Sequence, residues 1–475
     1  MKKKHFLISL ITFTLAVLSI PLTILSFGFG AKQYDETYYG ELPYMVKRLK
    51  SIKEKKIIFV GNSAVAFSIR PDLLEEELNT KCVMFGLYGA IGTKAMMELS
   101  KVNIKKDDIV ILMPELTEQS LSLYFSSSEM WMAFDGNYNL INYLDKEDQQ
   151  LMVGNFAKFA SNKMKYIVSG SKPSTEGVYM QKSFNLNGSE VGYMTYEREY
   201  NTMLLGYEPN TLIDFNKDIV DKEFIDYVNE YSKYINSKGA ALYYGFPPLN
   251  SLANTSSNDE INDFYNFLAD NLNCPILGNP NNYLLDFEWF YDSNTHLNSP
   301  GAYLYNKLIC DDIKTVLNDY SETKIEIPEK PDIPVEKYED GDNSDAGLFE
   351  YEQYVTGYRI IGISEEGKKR TKITIPSTYN DMPVVTFTAD VFSNNNNISE
   401  IIIPNNIKLL NDYSFDGDEK LTRLILAQEN PSAINIGMAL IDGAPNCSIY
   451  VKASAYDSYI TNYNWGFYKD RIKKY

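Results

Sequence analysis

Short, wholly apolar runs bounded by polar or turn-forming residues recur along the chain: Ile57-Ile58-Phe59-Val60, Cys82-Val83-Met84-Phe85-Gly86, Ile109-Val110-Ile111-Leu112-Met113 and Ala241-Leu242-Tyr243-Tyr244-Gly245-Phe246. Runs of this length without polar alternation are the pattern of strands buried on both faces of a parallel sheet. Between them, Pro71 to Leu78, Thr93 to Lys101, Asp221 to Ser237, Asp259 to Leu272 and Pro300 to Leu317 read as helices. The alternation predicts a three-layer α/β domain over residues 33–320. Residues 117–220, rich in Tyr, Phe, Met, Asn and Ser, interrupt it. They are expected as an insertion of helices and loops over the sheet's C-terminal edge, with a separate small domain as the alternative.

The amino terminus has a different pattern. Lys2, Lys3 and Lys4 precede an apolar run from Phe6 to about Phe29 that contains no charged side chain, and Lys32, Asp35 and Glu36 follow it. Roughly 20 such residues suffice to cross a bilayer as a helix. Residues 1–32 therefore predict a single-pass membrane anchor with the N-terminus in the cytoplasm and the rest of the chain outside. A cleaved signal peptide is the competing reading. The end of the run, Phe27-Gly28-Phe29-Gly30-Ala31, has no clear small-x-small cleavage site. Either reading exports the domains.

Residues 321–348 change to Glu, Asp and Lys with three prolines, Pro328, Pro331 and Pro334, and read as an extended acidic linker. Over residues 349–475 a repeat appears. Ile398-Ser399-Glu400-Ile401-Ile402-Ile403 is matched 23 residues later by Leu421-Thr422-Arg423-Leu424-Ile425-Leu426, and Phe392 by Phe415 at the same interval. Ile373-Thr374-Ile375-Pro376 parallels Ile401-Ile402-Ile403-Pro404. A period in the twenties with one short strand per unit predicts a small solenoid of stacked repeats. Ser448-Ile449-Tyr450-Val451 with Tyr456, Tyr459, Tyr463 and Trp465 is expected to cap it. These residues resemble the BspA-type leucine-rich repeats of bacterial surface proteins, in the Ile-Ile-Pro strand end and the closing Tyr-Val, Tyr, Trp segment.

A net charge of −18 argues against a nucleic-acid partner, because phosphate backbones are held by clustered Lys and Arg. Cys82, Cys274, Cys310 and Cys447 are scattered with no C-x-x-C pair, so they indicate neither a zinc site nor a disulfide framework. No metal or cofactor is expected.

Histidine narrows the chemistry further. The chain has two, and His5 lies in the cytoplasmic flank of the expected anchor. An imidazole acting outside near neutral pH must be His296, in the turn-rich Tyr291-Asp292-Ser293-Asn294-Thr295-His296-Leu297-Asn298 before the last α/β helix. Asp292 is placed to hold its tautomer. At the end of the first strand, Gly61-Asn62-Ser63 supplies a hydroxyl on a tight strand-to-helix turn where backbone N–H groups can face an oxyanion. The bland readings are a helix cap at Ser63 and a loop histidine at His296.

Together these segments resemble the SGNH (GDSL-type) hydrolase family, especially its membrane-bound branches that modify surface polymers. Gly61-Asn62-Ser63 matches the first motif with Asn62 in place of Asp. The resemblance implies a flavodoxin-like parallel sheet, Ser63 as nucleophile and oxyanion-hole donor, His296 as base and Asp292 as its orienting acid. It also implies an oxyanion-hole glycine, best matched by Gly89 with Gly86 the runner-up. Two positions depart from the pattern. The Asp-to-His spacing is four where the family has three, which leaves Asp286 and Glu288 as alternative acids. The third strand ends Met113-Pro114-Glu115, where the family carries an oxyanion-hole Asn. Glu115, with Asn62, is therefore a candidate substrate-binding residue. The implied activity is that of an esterase or acyltransferase on acyl esters of a cell-envelope polysaccharide, with a membrane acyl-transfer partner as a further candidate. The alternative is a non-catalytic surface display or adhesion protein that uses its repeat domain.

Overall fold

A computed structural model of the chain describes residues 2–30, 32–173, 175, 177–203, 205–334 and 342–475, without the side chains of Lys2, Lys3, Lys4, Phe6, Leu7, Ile20, Ile24 and Phe27. It forms two compact units, Met1–Asn201 with Tyr207–Pro331, and Thr202–Gly206 with Asp332–Tyr475.

The first unit opens on helices α1 (Lys2–Phe29) and α2 (Glu41–Ser51). Then follow β1 (Lys56–Gly61), α3 (Ser63–Ser68), α4 (Pro71–Leu78), β2 (Lys81–Gly86), α5 (Thr93–Ser100) and β3 (Ile109–Met113). Helices α6 (Ser127–Ala133) and α7 (Lys146–Ser169) interrupt the alternation. It resumes with α8 (Lys222–Ser237), β4 (Ala241–Tyr244) and α9 (Asn258–Asn271). A hairpin of β5 (Phe290–Ser293) and β6 (His296–Leu297) leads into α10 (Ser299–Val316).

The main sheet runs β2-β1-β3-β4 with every pairing parallel, and a parallel bridge from Tyr244 to Ile276 adds a fifth position beyond β4. This is an α/β architecture, as the apolar runs predict. Ile57, Ile58, Phe59 and Val60 are all fully buried, which a strand covered by helices on both faces requires. Lys56, at the start of β1, is also buried, and its charge is met by Asp108 at 2.5 Å. Such a pair is costly to break from one side, because the remaining ion is left buried and unpaired. Where β2 ends beside β1, a Cβ on Gly86 would lie 2.4 Å from the Val65 side chain, so only glycine lets α3 pack this close.

Helix α2 falls within a stretch that reads as mostly polar. Leu42, Met45, Val46 and Leu49 nevertheless recur at helical spacing and are all buried. The insertion builds its own small core, in which Trp131 stacks on Phe159 with ring centroids 5.5 Å apart. It grips the end of α1. Phe29 stacks on Phe156 at 4.8 Å, and the Tyr138 hydroxyl donates to the Gly28 carbonyl at 2.6 Å. Lys163 donates to the same carbonyl at 3.1 Å and to buried Asp135 at 2.6 Å. Among the described residues no helix is long and apolar enough to cross a membrane. Phe6, Leu7, Ile20, Ile24 and Phe27 of the expected anchor have side chains outside the described residues. Ile8, Phe13, Leu15 and Leu22 are exposed on α1.

The expected linker starts later than its composition suggests. Thr323 and Ile325 are buried, and the Lys324 N–H donates to Glu77 at 2.9 Å, so the first unit holds the chain as far as Pro331. Residues 335–341 lie outside the described residues.

The second unit is built on two ladders of short parallel strands. In one, Ile373, Ile401, Leu424, Ile449 and Ile472 pair in succession, and all are buried. The other joins Gly357–Ile363, Met382–Phe387, Leu409–Leu410 and Asn435–Ile436. Each repeat thus supplies two short strands, where the sequence pattern predicts one. Leu409–Leu410 and Asn435–Ile436 are too short to show an apolar period. The interval of 23 is visible in the contacts: Asn395 N–H donates to Asp418 across it at 2.7 Å. Tyr459 and Trp465 are fully buried in the closing segment, whereas Tyr463 is 86% exposed and does not join them.

Candidate active site

In open parallel sheets, ligands bind beyond the carboxyl ends of the strands, where the strand order reverses. Here that point lies at β1, with β2 on one side and β3 on the other. Asn62 and Ser63 follow β1 directly, Glu115 follows β3, and α3 packs against β6 with His296 at its start.

Asn62 is only 2% exposed, and both of its polar ends are engaged within the protein. Its amide donates to the Ser120 hydroxyl at 2.7 Å and its carbonyl accepts from Glu115 N–H at 3.3 Å. The side chain braces the end of β1 against the end of β3. Ser63 is the first residue of α3, so the cap position is Asn62, whose side chain makes no capping bond. The Ser63 hydroxyl donates to Glu115 Oε1 at 3.1 Å, and Ala64 N–H donates to the same oxygen at 3.0 Å. Gly89 faces the other carboxylate oxygen: a Cβ there would lie 3.8 Å from Glu115 Oε2 and 4.0 Å from Asn62. Gly89 therefore lines the site, while Gly86 is a packing glycine beneath α3. The Gly89 carbonyl accepts from Gln119 at 2.9 Å.

The histidine packs on the same helix, and no hydrogen bond joins its ring to Ser63 among the described residues. Phe67, one turn along α3 from Ser63, stacks on the imidazole with ring centroids 3.9 Å apart and planes within 10°. His296 Nδ1 is bonded to Asp292 Oδ1 at 2.8 Å. The four-residue spacing is accommodated by the hairpin. The residues opposite His296 and Leu297 are Ser293 and Phe290, so Tyr291 and Asp292 bulge from the ladder and bring the carboxylate back to the ring. The alternative acids are engaged elsewhere, with Lys330 at 2.6 Å from Asp286 and 3.9 Å from Glu288. Burial pushes the Asp292 carboxyl upward, but the hydrogen bond and charge of His296, the Tyr179 hydroxyl and the Arg198 guanidinium more than offset it. The carboxyl ends below its ordinary range.

Three contributors carry no sequence signal. Tyr179, from the insertion, donates to Asp292 Oδ2 at 2.7 Å and lies 3.4 Å from His296 Nδ1. Tyr179 is 38% exposed, and partial desolvation of its hydroxyl, then the Asp292 charge, drives its phenol pKa upward, so it is a hydrogen-bond donor throughout the neutral range. Phe67 sits in an apolar helix that reads as core. Arg198 is buried, and burial pushes its guanidinium down to about 10. It donates to the carbonyls of Leu297 and Tyr196, each at 3.0 Å, and so fixes the strand that carries His296. The four cysteines are buried free thiols away from these groups. No cluster of three or more His, Cys, Asp or Glu suited to a metal occurs among the described residues.

No protein-family model matches this chain, and no curated protein matches it.

Proposed function

We propose that the chain is a membrane-anchored, outward-facing SGNH-like esterase or acyltransferase that acts on acyl esters of cell-envelope glycans. The observation that carries this reading is the imidazole of His296, bonded to Asp292 and stacked on Phe67 one turn along α3 from Ser63. The sheet order, read in chain order as 2-1-3-4 with a fifth position beyond, is that of flavodoxin-like sheets and supports the SGNH-like fold. The paired ladders support a BspA-type repeat domain as the surface-facing module.

With Nδ1 committed to Asp292, Nε2 is the nitrogen that takes the Ser63 proton. Ser63 Oγ attacks the ester carbonyl, and the carbonyl π electrons move to the oxygen. Collapse breaks the bond to the alcohol, which leaves with the proton from His296, and the acyl group stays on Ser63. Water then yields the free acid, or a sugar hydroxyl yields a new ester. Ser63 Oγ must first turn from Glu115, and the carboxylate must give up the Ala64 N–H for that donor to serve an oxyanion.

That same pair of bonds favours the second reading, a non-catalytic display or adhesion protein whose α/β unit is a scaffold. A fluorophosphonate probe separates the two. The enzyme reading expects labelling of the purified chain at Ser63, and loss of both labelling and acetate release from acetylated sugars in Ser63→Ala. An unlabelled chain that turns over no ester and still binds glycans would establish the display reading.

A further inference from the structure

A cavity lies within the first unit, where the chain leaves α1. We propose that the cavity there binds a phosphate group, carried by the headgroup of an anionic membrane lipid. The membrane placement rests on the anchor reading above; the phosphate chemistry does not.

The cavity measures about 540 Å³. Lys32, Lys47 and Lys50 line it, together with the apolar Val46, Met132 and Leu140 and the polar Ser51, Asn137 and Asn139. Lys47 and Lys50 are three residues apart on α2 and share one face of that helix. Lys32 packs on Gly136, where a Cβ would come within 2.3 Å of its Cε. Lys50 donates to the Tyr143 hydroxyl at 2.7 Å, and none of the three lysines is ion-paired to a carboxylate among the described residues. Two acids also line the cavity, Asp35 and Asp135. Asp135 is committed elsewhere: to Lys163 at 2.6 Å, to the N–H groups of Gln33 and Tyr34 at 2.6 and 3.2 Å, and to the Tyr138 hydroxyl at 2.9 Å. Asp35 alone opposes the three lysines, which leaves the cavity cationic in a chain whose net charge is −18.

A cationic recess with a mixed polar and apolar lining fits an amphiphilic anion. Lysine ammonium groups hold phosphate as point charges. The volume lies within the range of small-molecule sites, roughly 300–1,000 Å³, and so leaves room for glycerol and the first methylenes beside the phosphate. The location agrees. Lys32 follows Phe29, the last residue of α1, by three positions, and the Tyr138 that holds the Gly28 carbonyl belongs to the same segment as the cavity wall. If α1 spans the bilayer, this recess opens at the headgroups of the outward-facing leaflet, where its lysines meet lipid phosphates.

The test uses the full chain in nanodiscs of equal phosphatidylglycerol and phosphatidylcholine, with retained lipid read by native mass spectrometry. The expected result is preferential retention of phosphatidylglycerol, reduced about tenfold in the Lys47→Gln, Lys50→Gln double variant, with the tryptophan emission spectrum unchanged. Equal retention of the two lipids, or undiminished retention by the double variant, overturns the proposal. Glycerol 3-phosphate and inorganic phosphate, added at equal concentration to the detergent-purified chain, distinguish the sources of the phosphate. Displacement by glycerol 3-phosphate alone supports a lipid headgroup, while equal displacement by inorganic phosphate supports the phosphate site and removes the lipid as its source. The anchor fails separately, through release of the chain from membranes by alkaline carbonate.

Discussion

Two carboxylates of the candidate site, Glu115 beyond the parallel sheet and Asp292 in the hairpin that carries His296, have opposite effects on the groups beside them. Asp292 takes the Nδ1 side of His296 and the Tyr179 hydroxyl, and in doing so leaves Nε2 as the nitrogen for another partner. Glu115 takes the Ser63 hydroxyl and the Ala64 N–H, the two donors that a reacting ester would need. In the proposed reading, the histidine half is organised for proton transfer before any substrate arrives. The serine half is satisfied internally and must exchange partners first. An enzyme built this way has a ready base and a nucleophile that reacts only when the ligand displaces a carboxylate.

The largest expected effect tests which carboxylate side supplies the base. Glu115 touches the Ser63 hydroxyl directly, so it is the competing acceptor of that proton. In the proposed arrangement, His296→Gln lowers the second-order rate of fluorophosphonate labelling about 10⁴-fold, the upper end of what a positioned general base contributes. Labelling that survives this change and disappears in Glu115→Gln would reverse the roles of the two halves. Asp292→Asn is expected next, at about 10³-fold, because an amide can present its NH₂ to Nδ1 and hold the wrong tautomer. Folding of both variants is checked by circular dichroism.

How much of this was legible in the sequence depends on the kind of signal each residue leaves. The strands are continuous apolar runs, and helices α4, α5, α8, α9 and α10 fall within one residue of their predicted bounds, because proline, capping residues and apolar spacing mark them. As candidates, Ser63, His296 and Asp292 were legible through rarity and placement: one histidine beyond the amino-terminal apolar run, and one hydroxyl at the first strand's end. Asp292 looked misplaced because residue counting assumes a regular hairpin, and a bulge is invisible to it. Tyr179 was not legible. It is one of 37 tyrosines, it sits in an irregular segment, and only the tertiary fold brings it 113 residues along the chain to Asp292. The second ladder of the repeat unit was hidden for a related reason, since two-residue strands carry no period.

Glu115→Gln sharpens the comparison in the other direction, through a gain. The amide keeps a hydrogen bond to Ser63 or Ala64 but removes the negative charge that opposes a developing oxyanion. The labelling rate at pH 7 is then expected to rise about tenfold, a modest share of the 10²–10³ that one oxyanion-hole donor contributes. A fall in rate would show that the carboxylate serves the reaction, through a substrate hydroxyl or as part of the proton path, and the serine half would no longer count as closed.

The smallest effect concerns Tyr179. Its hydroxyl is one of the groups that hold the Asp292 carboxyl below its ordinary range against the upward push of burial. A carboxylate with a depressed folded-state pKa contributes stability that is present above its unfolded pKa, near 3.9, and lost as the pH falls through the folded value. Tyr179→Phe removes one charge-assisted donor, so it is expected to cost about 1 kcal/mol at pH 7, with a loss of labelling rate of only a few-fold. The stability deficit should shrink as the pH drops below about 4, where Asp292 takes up its proton in the unfolded chain and then in the folded one. Urea denaturation at pH 7, 5 and 3 measures it. A deficit of the same size at all three would mean that Tyr179 contributes packing alone, and that Asp292 is tuned by His296 and Arg198 without help from the insertion.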